Sequence, residues 1–332
     1  MNRHRLSKQP ARAIILLDFH RQKGSHKVAP NIQRLSKRFL IALVICWPAP
    51  LTAADIAAAA QPVPPITQTI SVDALESAIT AIDLTFEIYG GGLHVISLHT
   101  QAVLTPHSYE IASQFQTEGI ANTLFNGRGS SKAQGLLTPN GPKLLSYSQE
   151  YDGRFGERSI AMMLDESGGY SVSAIPEDGV HTNGFSPATV RNTVDPLTAS
   201  IFTAVNSSAD PCGQTISVFD GRRVFQLQFK ELEATRLTPQ GAGIYQGNAW
   251  KCSLTYKPIA GYTRKWLVSQ ARDPIRPFTV WLARFDDVMG PSGNQPLVLP
   301  IRMLMETSTV NATAHLTAAT VDGKSLITAL SN

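Results

Sequence analysis

CGQTISVFDGRRVFQLQF, residues Cys212–Phe229, decides how the chain is read. Apolar and polar residues alternate on both sides of an Asp-Gly pair, the pattern of two antiparallel strands joined by a tight turn. With Asp220-Gly221 as a two-residue loop, Phe219 faces Arg222, Val218 faces Arg223, Ile216 faces Phe225 and Cys212 faces Phe229. Phe225, Leu227 and Phe229 form the core side, and Cys212 joins them. Arg222 and Arg223 are adjacent, so they project to opposite faces and cannot together clamp one anion. Arg223 falls at the rim of the apolar face, where Asp220 can neutralise it. The plain reading is a turn former with a rim ion pair. The functional reading makes Asp220, Arg222 and Arg223 candidate ligand-binding residues, with Arg223 meeting an anionic headgroup at the mouth of an apolar cavity.

The same period of two runs through most of the chain. IDLTFEIYG places Leu84, Phe86 and Ile88 on one face, and strand-length segments closed by Gly, Pro, Asp or Asn follow it as far as YSVSAIPEDG. In NAWKCSLTYKP, Trp250, Cys252, Leu254 and Tyr256 share the core face, while Lys251, Ser253, Thr255 and Lys257 share the other. LVLPIRMLME repeats this with Leu297, Leu299, Ile301, Met303 and Met305. FTVWLARF is apolar on both faces, as a central or helix-covered strand is. One helix interrupts the series: DPLTASIFTAVN has Asp195 as N-cap, Pro196 at the first helical position, and Leu197, Ile201 and Val205 on one stripe. The fold class is therefore all-β, one large curved antiparallel sheet forming an open or spiral-like barrel, with one short helix near 196–206.

Charge is distributed unevenly. Of 29 Lys and Arg, ten lie in residues 1–53, which hold only one of the 25 acidic residues; the remainder carries 19 against 24, a net of −5. A basic nucleic-acid-binding surface has little support once that segment is set aside. RLSKRFLIALVICWPAPLTAA has the three parts of a secretory signal: Arg34, Lys37 and Arg38, an apolar run from Phe39 to Trp47, then Pro48, Pro50 and small residues suited to cleavage near Ala53 or Ala60. Its apolar run is far short of the roughly 20 residues a membrane-spanning helix needs. Ile45, before Cys46, argues against lipidation. Residues 1–31 are long for the basic part of a signal, as an over-extended start would be. The expected organisation is an N-terminal extension and signal over 1–53, an Ala/Pro-rich tether over 54–81, and a single antiparallel β domain over 82–330.

Without Cys46, the cysteines are an even pair, Cys212 and Cys252, both placed on core faces. In an exported chain they predict one disulfide; two buried free thiols are the alternative.

Signatures of catalysis are absent. No Gly-x-Ser-x-Gly elbow occurs, and NGRGSSKAQG lacks the spacing of a phosphate loop and reads as a polar turn. His94 and His99 fall on opposite faces of one strand; His107, His181 and His315 have no ligand-spaced partner and read as surface or hydrogen-bonded histidines. The acid pairs Asp165/Glu166, Glu177/Asp178 and Asp286/Asp287 sit in turn-like settings. No metal or cofactor is indicated.

FEIYGGGLHV, QTEGI, VDPLTA, CGQTISVFDGRRVFQL and WKCSLTYKPIAGY, in that order, resemble the bacterial domain-of-unknown-function 3108 family. The resemblance spans residues 82–330 and implies an exported antiparallel β domain of Gram-negative bacteria with no established activity, so it transfers no catalytic residue. The expected protein is a periplasmic component of the cell envelope, non-enzymatic, with no membrane span in the mature chain. It binds an apolar or amphipathic, lipid-like ligand or an envelope partner. The alternatives are an envelope hydrolase with unrecognised acids and a purely structural interaction module.

Overall fold

The computed structural model describes residues 80–154, 156–177, 187–205, 210–290, 295–307 and 310–327. The proposed extension and signal, the tether up to residue 79, Asp178 and His181 lie outside them. The first strand begins at Thr80, close to the expected start of the domain.

The strands are β1 (Thr80–Gly90), β2 (Leu93–Leu104), β3 (Ser108–Thr117), β4 (Arg128–Thr138), β5 (Gly141–Asp152), β6 (Arg158–Leu164), β7 (Tyr170–Ile175), β8 (Thr215–Phe219), β9 (Val224–Leu237), β10 (Gly247–Ala260), β11 (Phe278–Met289), β12 (Pro296–Met305), β13 (Ala312–Val321) and β14 (Lys324–Ile327). They form one antiparallel sheet in the order β7-β6-β5-β4-β3-β2-β1-β13-β12-β11-β10-β9-β8, with β14 paired to β13. The sheet is not closed by a ladder: β7 and β8 are its two ends. The helices are short: α1 (Gly119–Phe125), α2 (Pro187–Val190), α3 (Pro196–Ser200), α4 (Phe202–Val205) and α5 (Arg264–Arg272).

Period two located most of these strands; β4, β13 and β14 are the exceptions. Arg128–Thr138 is a full strand rather than the expected polar turn. Its Gly129 and Gly135 mimic turn residues, but they are glycines because the Phe115 and Tyr109 rings lie where a Cβ would stand, 2.4 Å from the ideal positions. The single expected helix is two, α3 and α4, separated at Ile201, whose φ of −113° leaves the helical region. Helices α1, α2 and α5 were not expected.

The opening hairpin exists with its loop one residue later. Ile216 pairs with Leu227, Val218 with Phe225 and Phe219 with Val224, so Gly221-Arg222 is the loop. The cause is the Asp220 carboxylate, whose Oδ1 accepts from the Arg222 and Arg223 backbone N–H groups at 2.9 and 2.5 Å. Asp220 thereby becomes the residue before the loop, its own N–H donating to Arg223 O at 3.1 Å. Gly221 takes the first central position at φ +81°, which a side chain rarely adopts. Moving the loop by one residue moves each partner by two, and every side chain stays on its expected face.

In the β8–β12 half both faces carry buried residues. Phe219, Val224, Trp281, Ala283, Leu297 and Leu299 belong to the main core inside the curve, with Leu84, Leu104 and Ile111 from the opposite wall. Val218, Phe225, Leu254, Val280 and Leu282 form a second core. FTVWLARF is thus buried on both sides, as read. LVLPIRMLME departs from the reading: a bulge between Leu282 and Trp281 of the facing strand falls at Pro300–Arg302, so Leu297 and Leu299 enter the main core while Met303 and Met305 enter or border the second.

The second core contains the Cys212–Cys252 disulfide, with both sulfur-bearing residues fully buried and their Cα atoms 5.6 Å apart. It ties the stretch before β8 to the middle of β10. Replacing both cysteines with alanine is expected to lower the unfolding free energy by about 4 kcal/mol, the loop entropy of the crosslink. Urea unfolding measures this, and a loss under about 1 kcal/mol would mean the loop is ordered without the bond.

Segment α3–α4 spans the interior as a strut. Its N-cap, Asp195, is fully buried; Oδ1 accepts from Leu197 N at 2.8 Å and Thr198 N at 2.9 Å, and Oδ2 bonds the Thr198 hydroxyl at 2.5 Å. That hydroxyl lies 3.3 Å from the Tyr109 hydroxyl of β3. Burial pushes the Asp195 carboxyl up to about 6, against the pull of its donors. The folded protein therefore holds this proton to a higher pH than the unfolded chain, and the contribution of Asp195 to stability falls as pH rises from about 4 to about 6. Asp195→Asn keeps the capping oxygen and removes that slope. Its stability relative to the wild type should rise between about pH 4 and about pH 7 in parallel urea titrations; a constant difference would show that the carboxyl has the same pKa in the folded and unfolded states.

Candidate functional site

The sequence-derived candidates sit at the tip of the β8–β9 hairpin, and each has a protein partner. Arg223 Nε lies 3.3 Å from Asp220 Oδ2, both side chains being largely buried. The Arg223 guanidinium also stands over the Tyr262 ring, 5.9 Å from its centroid. Arg222 goes elsewhere: its Nη2 donates to the Pro176 carbonyl at 2.6 Å, at the end of β7. The arginines diverge, as their adjacency required.

From Arg223 an aromatic series leads outward. Phe225 stacks on Tyr256 at 4.7 Å, the Tyr256 and Tyr262 hydroxyls are hydrogen-bonded, and Tyr262 packs on Trp266 at 4.3 Å. Burial, then the neighbouring Tyr256, holds the Tyr262 hydroxyl above its ordinary value. Trp266 belongs to α5, which runs from its Thr263 cap, where Oγ1 accepts from Trp266 N at 3.2 Å, to Asp273 before Pro274. Gln270, one turn after Trp266, accepts from Ile275 N at 2.9 Å.

No residue of α5 is buried. Trp266 and Gln270 hold its inner side; helical spacing puts Val268 opposite them with Arg264, Arg272 and Lys265 around it, and Ala271 and Leu267 on one flank, all exposed. Leu267 and Val268 are 46% and 45% exposed, and Ile259, on the strand leading into the helix, is 44% exposed. Without a buried stripe, this helix has no periodic apolar pattern to mark it in the sequence. Thr263 before Arg-Lys-Trp and Asp-Pro after Arg272 were its start and stop signals.

A second cluster crosses the sheet. Trp281, Arg302, His315 and Glu87 are successive cross-strand partners on β11, β12, β13 and β1. The Arg302 guanidinium stacks over Trp281 at 4.9 Å, and its Nη1 lies 3.4 Å from Gln240 Oε1 in the β9–β10 connection. Tyr89 donates to Glu87 Oε2 at 2.6 Å, which raises its hydroxyl to about 12, and its ring meets His315 edge-on at 6.1 Å. His315 is 7% exposed, and burial followed by the Arg302 charge pushes its imidazole down to about 4. Among the described residues, its Nδ1 and Arg302 Nε are buried without a hydrogen-bond partner. His315 is thus neither the surface nor the hydrogen-bonded histidine expected. Its neighbours come from other strands, so nothing close in sequence announced them.

Gly243 closes over this histidine, and a Cβ there would stand 2.7 Å from His315 Nδ1. Gly243→Ala should cost about 1–3 kcal/mol by overpacking. In a His315→Ala background most of that cost should vanish, a coupling of about 1 kcal/mol or more in a double-mutant cycle read by urea unfolding. Additive effects would show that the two residues are not in contact.

Among the described residues, no group of three or more His, Cys, Asp or Glu is arranged to hold a metal. The acids read as turn-bound are mostly engaged locally. Asp165 accepts from Ser167 and Gly169, Asp286 pairs with Arg284 at 2.7 Å, and Asp287 pairs with Lys324 at 3.3 Å. Asp286 and Asp287 lie within β11 rather than in a turn.

The family model described as "Protein of unknown function (DUF3108)" matches residues 85–317, from β1 into β13. The chain belongs to the DUF3108 family. Among solved structures, this DUF3108 protein is similar to a beta-barrel-like protein of the domain of unknown function DUF1849 from Brucella abortus, at 10% identity and a TM-score of 0.38, over 75% of this chain and 99% of that one. No curated protein matches its sequence.

Proposed function

We propose that this protein is an exported component of the Gram-negative cell envelope that works by binding an amphipathic partner at its surface, on the platform formed by Tyr262 and α5. The exposed outer side of α5 carries this reading. No residue of this surface helix is fully buried, yet its Leu267 and Val268 are held out to solvent by a built support of Trp266, Tyr262, Tyr256 and Arg223. Asp220 and Arg223 enter as supports of that platform, and Arg222 as the tie to β7. An interior carrier is less well supported: the gap beneath Ile201 and Ala204, lined by Ile82, Leu84, Thr100, Ala102 and Leu299, has no room for a water-sized molecule, whereas ligand pockets run from roughly 300 to 1,000 Å3. The disulfide favours an oxidising compartment. No helix among the described residues is long and apolar enough to cross a membrane.

Native mass spectrometry of the protein recovered from the periplasm tests the reading. The expected result is an unliganded mass that begins near Ala53 or Ala60 and is two hydrogens lighter than the reduced form. A lipid-sized adduct retained until denaturation would overturn surface binding in favour of an interior carrier. An uncleaved chain found only in the cytosol would overturn export.

A further inference from the structure

We infer that the partner of α5 is an anionic lipid surface, on which the helix lies in the plane of the headgroups; this rests on the surface-binding reading above. Between Lys257 and Arg276 the chain carries five basic residues, Lys257, Arg264, Lys265, Arg272 and Arg276, against one acid, Asp273. That local +4 belongs to a chain whose residues beyond 53 have a net of −5. A positive patch on a negative protein selects an anionic partner and repels the remainder of the molecule from the same surface.

Geometry favours a lipid surface over a groove on another protein. The helix has nine residues and is fixed along its inner side by Trp266 and Gln270, so only its outer side is offered. Val268 lies at the middle of that side, and Ala271 and Leu267 continue the apolar surface towards one flank. Arg264 lies on the same arc at one end, Arg272 at the other, and Lys265 to the side, all exposed. Arginine and lysine stems can cover apolar surface while their heads reach outward to phosphates, the arrangement of an interfacial helix. Exposed Ile259 and Lys257, on the strand leading into the helix, extend the same pairing of apolar and basic groups. The apolar surface is too shallow to insert deeply, so attraction to headgroup charge must supply much of the binding. That makes it sensitive to salt.

The test uses the full mature chain with its disulfide intact. It is sedimented with phosphatidylcholine vesicles, either alone or carrying about one-third phosphatidylglycerol. Expected is binding to the anionic vesicles only, reduced at least tenfold when salt is raised from about 50 mM to about 500 mM. Leu267→Glu with Val268→Glu, and separately Arg264→Gln with Lys265→Gln and Arg272→Gln, should each reduce it by about tenfold or more without altering thermal unfolding, because these side chains are exposed. Hydrogen exchange of the wild type on vesicles should gain protection over residues 259–276, which locates the contact without any variant. No binding to anionic vesicles at low salt, equal binding to both vesicles, or protection elsewhere would overturn the inference. Photocrosslinking in cells from position 268 separates the two failures. A protein adduct without vesicle binding overturns the lipid assignment alone, whereas neither adduct nor vesicle binding overturns the surface-binding reading too.

Discussion

A wide antiparallel sheet with two end strands must be held in its curve by something other than its own ladder. Here that task falls to the contact across the seam between β7 and β8. Gly221, at the hairpin tip, lies against Ile160 so closely that a Cβ would stand 2.6 Å from that side chain. Phe219 meets Tyr170, and Arg222 reaches the Pro176 carbonyl. Behind the seam, Val194 bridges to Val218 and leads directly into the Asp195 cap, so the strut is anchored on β8 and reaches Tyr109 on β3. Tip, strut and opposite wall form one unit, and the filled interior follows from it. Leu197, Ile201 and Ala204 occupy the space that a hollow barrel would leave to a ligand.

Asp220 shows how one side chain can serve both fold and site. Its Oδ1 binds two backbone N–H groups and sets the loop; its Oδ2 pairs with Arg223, which stands over Tyr262. The choice of loop residues therefore passes through one carboxylate to the aromatic support of α5. A hairpin that looked like either a turn or a binding site is a turn that braces a platform.

What could be read from the sequence was whatever repeats locally. Alternation located most strands and the core faces of Cys212 and Cys252, and with them the disulfide. Asp-Pro-Leu marked the strut. The loop position was missed because Asp-Gly is itself a favoured hairpin pair, and only the capping geometry of Asp220 excludes it. Strand β4 was hidden by glycines whose cause, two aromatic rings on β3, is remote in sequence. The inward and outward faces of β12 exchange at a bulge that no alternation rule foresees. Arg302, His315 and Glu87 become neighbours only through the register of three strands, and so the cluster was invisible. Helix α5 was legible from its caps but was obscured because it lacks a buried stripe.

The pairing of β12 with β13 extends over only four residue pairs, Arg302–Met305 against Ala312–His315, whereas β1 pairs with β13 along nearly its whole length. In mechanical terms the sheet consists of two stiff panels, β8–β12 and β1–β7 with β13 and β14, joined at a narrow hinge. Bending stiffness grows with the number of ladder bonds that must be strained together, so the backbone resists bending least there, with the five-pair β8–β9 and β10–β11 ladders next. The Trp281–Arg302–His315–Glu87 row crosses that hinge, with Gly243 packed over it, and the α3–α4 strut braces the panels from within. Opposite this spine of few ladder bonds lies the β7–β8 seam, held by side chains, like the fore-edge of a book.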